Sequence, residues 1–326
     1  MIPPKRITCL LLGAGLCALS LAPAYAQQAG KKISIAVIPK ATTDVYWKGV
    51  EAGARQAAKE LGIEMSWKGP LKEDDRAQQI QIVEQYVSEG KSGIILAPLD
   101  DTALKRPVDA AMAKHIPVVI IDSALKGEPG KDFISYVSTD NRAAGRMGGD
   151  ELARVLGGKG KVILLRFQEG SASTTEREEG FLDAMKKYPD IQVISANRYA
   201  GATAAEAQNT AMNMIDKIRQ ANGIFCPGEP VAFGMLLALR QTGLAGKVKL
   251  VGFDTAPSLI DAIKKGEIQA VVAQHPKKMA SEAVKILVNY LHGEKVPERV
   301  DSGAELITAE NLNTAEVQAL VAAITP

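Results

Sequence analysis

The chain has 326 residues, 46% of them hydrophobic and 23% charged, with 39 Lys+Arg against 37 Asp+Glu. That composition excludes intrinsic disorder, collagen-like repeats and a disulfide scaffold. Beyond the N-terminus no apolar run approaches the roughly 20 residues that span a bilayer. The net charge of +2 resides in Lys5 and Arg6, the only charged side chains before position 31, so the body is neutral and lacks the electrostatic footprint of a nucleic-acid binder.

The N-terminus reads as an export signal. Lys5 and Arg6 form a basic head, Ile7–Leu21 an apolar stretch, and Ala24-Tyr25-Ala26 supplies small residues at both cleavage-determining positions, which predicts a cut after Ala26. The stretch is short for a retained anchor and Pro23 breaks it, while Leu16 before Cys17 disfavours a lipoprotein. Cys9 and Cys17 leave with the signal. The mature chain then holds Cys226 alone, without an internal disulfide, and no His lies near it in sequence. That thiol reads as a buried small hydrophobe. The 300 residues after Ala26 predict two domains.

Strand and helix signals then alternate. Apolar runs at 33–38, 65–67, 93–97 and 117–121 predict strands buried on both faces. Between them, Val50, Ala54, Ala57, Ala58 and Leu61 share one helical face, as do Ile80, Val83 and Val87. Asp101 is the expected cap of a helix over 102–114, and Gly62, Gly90 and Gly93 the expected helix stops. The segment 137–141 is the first candidate crossover. A second series follows, with strands at 162–165, 192–195, 223–226 and 248–252 and helices near 175–187, 204–220 and 231–241. From Ala270 come a strand, a helix near 277–291 and short extended pieces. Two helix-flanked parallel sheets are the simplest arrangement, an α/β fold.

In open parallel sheets ligands bind at the carboxyl ends of strands. Those ends carry Lys40, Asp44, Tyr46 and Trp47 in the first series with Asp122 and Ser123, and Arg177, Tyr199, Glu229, Asp254 and Gln274 in the second. Carboxylates, Arg and amides suit the donors and acceptors of a polyhydroxylated ligand, and an aromatic suits the C–H face of a sugar ring. Singly, Asp44 or Ser173 is better explained as a helix cap or solvated residue, and Tyr46-Trp47 equally well as helix–sheet packing.

Catalytic motifs are lacking. The run 157–161 is glycine- and lysine-rich, but it precedes a strand and has Val162 where a phosphate loop needs Ser or Thr. No dinucleotide fingerprint follows the first strand. The three histidines, His115, His275 and His292, lack metal-ligand spacing. Asp74-Asp75 and Asp100-Asp101 read as caps and solvated charges, and no Gly-x-Ser-x-Gly elbow occurs. The chain therefore reads as a non-enzyme without cofactor or metal.

Several stretches resemble exported type I periplasmic binding proteins of the ribose-binding kind: Ile33-Ser-Ile-Ala-Val-Ile, Ile116-Pro-Val-Val-Ile-Ile-Asp122-Ser, Ser171-Ala-Ser-Thr-Thr-Glu-Arg177-Glu-Glu-Gly-Phe181, Val251-Gly-Phe-Asp254 and Ala273-Gln274. The resemblance spans 31–312. It implies two Rossmann-like lobes with parallel sheets joined by a three-crossing hinge, with one lobe from 31–139 plus 275–302 and the other from 140–274 plus 303–326. It further implies a monomer that closes over a sugar or polyol and delivers it to a membrane ABC permease. Tyr46 and Trp47 fall where the family stacks aromatics on the ring, Asp44 where it often has Asn, and Asp122, Arg177, Asp254 and Gln274 at its hydroxyl-binding positions. Tyr199 would supply the aromatic of the opposite lobe. Ser123 stands where ribose binders place arginine, and Gly228, beside Glu229, where many have Asn. These departures favour a different pentose, hexose or polyol. Lys40, Asp122 and Pro227 are similar to positions of autoinducer-2 binders, whose Asp and Ala positions Arg177 and Glu229 do not match. Autoinducer-2 binding and a sensor subunit coupled to a chemoreceptor or kinase stay open as alternatives.

Overall fold

The computed structural model describes residues 32–322; the expected export signal, its cut after Ala26, Cys9 and Cys17 lie outside them. The first strands and helices are β1 (Ser34–Ile38), α1 (Val45–Glu60), β2 (Glu64–Trp67), α2 (Arg76–Glu89), β3 (Gly93–Leu96), α3 (Lys105–Ala113), β4 (Val118–Ile121) and β5 (Ser135–Ser138). The second series runs α4 (Asn141–Val155), β6 (Gly160–Arg166), α5 (Ala172–Met185), β7 (Ile191–Tyr199), α6 (Ala204–Asn213), α7 (Ile215–Ile218), β8 (Gly223–Phe225), α8 (Glu229–Gln241), β9 (Lys249–Phe253), α9 (Pro257–Lys264) and β10 (Ala270–Gln274). Helix α10 (Pro276–Leu291), β11 (Arg299–Asp301), β12 (Ala304–Thr308) and α11 (Ala315–Ala322) complete the chain.

Strand residues alternate between two covered faces, which is why these runs are apolar throughout. In β1, Ile35 and Val37 join the cluster under α1 and α10, while Ala36 and Ile38 join the one under α2 and α3. In β6, Val162 and Leu164 face α4 and α5, and Ile163 and Leu165 the opposite core. Each fully buried Ile, Val or Leu contributes about 1.5–3 kcal/mol of apolar transfer free energy.

One sheet has the order β11-β5-β4-β3-β1-β2, all parallel; the other is β12-β10-β9-β8-β6-β7, parallel except for β12 on β10. The two orders correspond strand for strand. In each the winding reverses between the first and third strands, β1/β3 and β6/β8, the topological switch point at which such sheets leave a crevice. The chain passes between sheets at β5→α4, at β10→α10, which packs on α1, and at β11→β12.

Sequence expectations fail locally for identifiable reasons. Asp100, not Asp101, accepts the free amides of Thr102 and Ala103 ahead of α3. Gly62 and Gly90 do end helices at positive φ, but Gly93 lies in β3, where a Cβ would meet the Leu287 side chain of α10. The helix expected over 204–220 is broken at Met214 into α6 and α7. The crossover expected at 137–141 begins as β5, and only Thr139 and Asp140 link the sheets; Asp140 then caps α4 by accepting from the Ala143 amide. Cys226 is fully buried, and burial pushes its thiol well above the ordinary range.

Candidate functional site

The carboxyl ends of both sheets face one cavity. The first sheet supplies Lys40 from the β1 end, Asp44, Tyr46 and Trp47 from the start of α1, Glu73 from the loop before α2, and Asp122 from the β4 end. The second supplies Phe167 after β6, Ser173, Thr174 and Arg177 on α5, Glu229 at the start of α8, Asp254 after β9, and Gln274 at the end of β10.

Asp122 and Asp254 occupy equivalent places, each directly after the fourth strand of its sheet. Both are left-handed, at φ 64° and 67°. Asp accepts this conformation better than most residues, and strained backbone persists where surrounding bonds hold it. Here the Asp122 amide donates to the Val137 carbonyl and the Asp254 amide to that of Val272.

Two polar networks line the walls. Lys40 Nζ lies 2.8 Å from Asp122 Oδ2, with both side chains almost wholly buried, and Tyr46 donates to Asp122 Oδ1 at 2.9 Å. Gln274 Nε2 donates to Asp254 Oδ1 at 2.8 Å, and the Glu229 amide donates to Asp254 Oδ2 at 3.2 Å. Arg177 is only 3% exposed; its Nε donates to Asn141 Oδ1 at 2.8 Å and its Nη1 to the Pro227 carbonyl at 3.0 Å. Its guanidinium carbon sits 4.3 Å from the Phe253 ring centroid. Its Nη2 is buried with no hydrogen-bond partner among the described residues. A buried guanidinium nitrogen left unpaired costs more than a neutral group would, so the site holds an unused donor.

Bonds between the lobes join these walls: Lys40 Nζ donates to Ser173 Oγ at 3.1 Å, the Ser173 amide to Ser123 Oγ at 3.1 Å, and Asn141 Nδ2 to the Asp122 carbonyl at 3.3 Å.

Five carboxyls, Asp44, Glu73, Asp122, Glu229 and Asp254, share the cavity with two cations. Burial raises Glu73 to about 7, helped by the charges of Asp44 and Asp122 and opposed by Lys40. Burial raises Glu229 to about 8, reinforced by Asp254, Asp44 and Glu73. Asp44 and Asp254 are also held above the usual carboxylate range, chiefly by burial.

Nine of the eleven residues expected from sequence line this cavity. Ser123 lies behind it, holding the first turn of α5 through the Ser173 amide. Tyr199 lies elsewhere, at the end of edge strand β7, 42% exposed and over Arg166. Phe167 is the second sheet's aromatic at the cavity, because it follows β6 at the switch point whereas Tyr199 follows the sheet edge. Glu73 was hidden in a charged run, 72–76, that reads as solvated loop; its carboxylate accepts from Trp47 Nε1 at 2.6 Å. Asn141 gave no signal apart from its place at the crossover.

The family model of the periplasmic binding protein domain matches residues 35–295. A carbohydrate-transporter solute-binding protein from Agrobacterium radiobacter, solved with D-arabinose, shares 34% identity over 89% of this chain and 99% of its own, with a TM-score of 0.84. The D-allose-binding periplasmic protein of Escherichia coli is 29% identical over 80% of this chain and 85% of its own. The xylitol-binding protein of Mycolicibacterium smegmatis is 27% identical over 93% and 84%. Two wound α/β lobes around a polar crevice define a solute-binding protein, a class that captures its ligand without chemically changing it. The chain belongs to the periplasmic binding protein family.

Proposed function

We propose that this protein is the exported sugar-capturing component of an ABC importer, holding one monosaccharide or polyol between its lobes and presenting it to a membrane permease. The observation that carries the reading is the buried Arg177 Nη2 in a cavity walled by both sheets: it calls for an oxygen acceptor that none of the described residues supplies. A ligand hydroxyl meets that need while donating to a neighbouring carboxylate, and charge-assisted bonds of this kind are the stronger ones. Tyr46, Trp47 and Phe167 supply aromatic surface for a sugar's C–H face. The ligands of the relatives, D-arabinose, D-allose and xylitol, belong to the same chemical class.

Capture follows from the two half-sites. Asp122 and Lys40 belong to one lobe and Arg177 and Asp254 to the other, so a ligand touches both sets only when the lobes are together. That differential contact shifts the population toward the closed form. A thermal-shift screen over pentoses, hexoses, polyols and autoinducer-2 tests the reading, because a ligand of the native state raises the melting temperature. At least one sugar or polyol should do so, and silence across the panel would refute the assignment. Mass spectrometry of the secreted protein should show Gln27 as its first residue.

A further inference from the structure

The cavity's carboxyls outnumber its cations, and both cations are engaged. Lys40 bonds Asp122 and Ser173, and Arg177 bonds Asn141 and Pro227. Asp254 accepts from Gln274 and from the Glu229 amide. Asp44, Glu73 and Glu229 remain, brought from α1, the loop before α2, and α8. Among the described residues none of these three is in a salt bridge. Glu73 accepts from Trp47, Asp44 has its neighbour Thr43, and among the described residues no donor meets the Glu229 carboxyl.

We propose that Asp44, Glu73 and Glu229 receive a protonated amine, so that the ligand is an amino sugar or amino polyol and not its neutral parent. The inference rests on the sugar reading above and narrows it. Like charges held together in a partly buried cavity repel, and an opposite charge among them is stabilised by each. An ammonium group also carries three donors and no acceptor, and three carboxyls offer it acceptors. Without such a cation the protein relieves the crowding by retaining protons, as the raised values of Glu73 and Glu229 indicate. The unpartnered Arg177 Nη2 requires an oxygen acceptor in the same cavity. A molecule bearing hydroxyls and one basic nitrogen satisfies both demands, whereas a sugar acid or sugar phosphate brings charge of the wrong sign to the carboxyl wall.

Titration calorimetry with matched pairs decides the matter: D-glucosamine against D-glucose, D-galactosamine against D-galactose, and 1-amino-1-deoxysorbitol against sorbitol, near neutral pH. At least one amino member should bind about tenfold or more tighter than its parent, the equivalent of one charge-assisted bond. Its binding should release protons, seen as a heat that varies with the buffer's ionisation enthalpy. Glu229→Gln, confirmed folded by its melting curve, should narrow the ratio. If the neutral members, or other neutral sugars, bind as well as or better than the amino ones, the amine inference fails while the sugar reading survives. If nothing in the pairs or in the wider sugar panel binds, the sugar reading falls with it.

Discussion

Removing the Arg177 side chain separates a ligand contact from a packing role. Among the described residues the partners of its guanidinium, Asn141, Pro227 and Phe253, belong to the second lobe, so opening the cleft does not take them away. In Arg177→Ala, Asn141 Oδ1 and the Pro227 carbonyl lose their donors, at about 1–3 kcal/mol for each acceptor that stays buried. The contact with Phe253 adds about 0.5–2 kcal/mol. Urea denaturation of the ligand-free protein reads this sum. Ligand binding loses, separately, the bond that only Nη2 can make, about 1.5–3 kcal/mol, or roughly 10- to 100-fold in Kd. Calorimetry with the sugar giving the largest thermal shift reads that second quantity, and Arg177→Lys should recover part of it by restoring charge without the planar fork. A folded Arg177→Ala protein that is less stable yet binds within about twofold of the parent would refute the ligand role and leave Arg177 as packing alone.

Only two tryptophans occur, and Trp47 lines the cavity while Trp67 ends β2, so sugar binding should change tryptophan emission and Trp47→Phe should abolish the change. Glu73 and Glu229 have folded values of about 7 and about 8, above the ordinary 4.5, so the folded state binds more protons than the unfolded state between those limits. Stability of the ligand-free protein should therefore fall as pH rises from about 4.5 to about 8, and melting curves of Glu73→Gln and Glu229→Gln should show a shallower fall. A Cβ at Gly145 on α4 would collide with the Arg177 carbonyl, and one at Gly180 on α5 with that of Arg142. Gly145→Ala should thus cost about 1–3 kcal/mol in chemical denaturation and weaken sugar binding by displacing α5. Asp122→Ala leaves the buried Lys40 ammonium without its carboxylate, and should cost about 3–5 kcal/mol of stability, read by urea denaturation.

Much of the site was legible because parallel α/β sheets put ligands at strand ends, so a strand such as 118–121 points directly to Asp122. Apolar runs covered on both faces are likewise visible without coordinates. Helix α4 was missed: its run Ala143-Ala144-Gly145-Arg146-Met147-Gly148-Gly149 reads as poor helix, yet Gly145 and Gly149 let it approach α5 closely and Gly148 lets it sit on Phe225 and Val272 of the sheet. Tyr199 was misplaced because the distance from strand end to cavity depends on whether the strand is central or at the edge, which follows from pairing partners remote in sequence.

Local order along the polymer was sufficient for the alternation of strands and helices and for the polar character of the loops, since period and capping are short-range properties. Which charges confront one another was decided only by folding. Lys40 finds Asp122 across 82 positions and Ser173 across 133, and Glu73, Glu229 and Asp44 are crowded by three separate elements. Their protonation, and with it the chemistry the cleft can accept, depends on burial and on neighbours that no linear window contains.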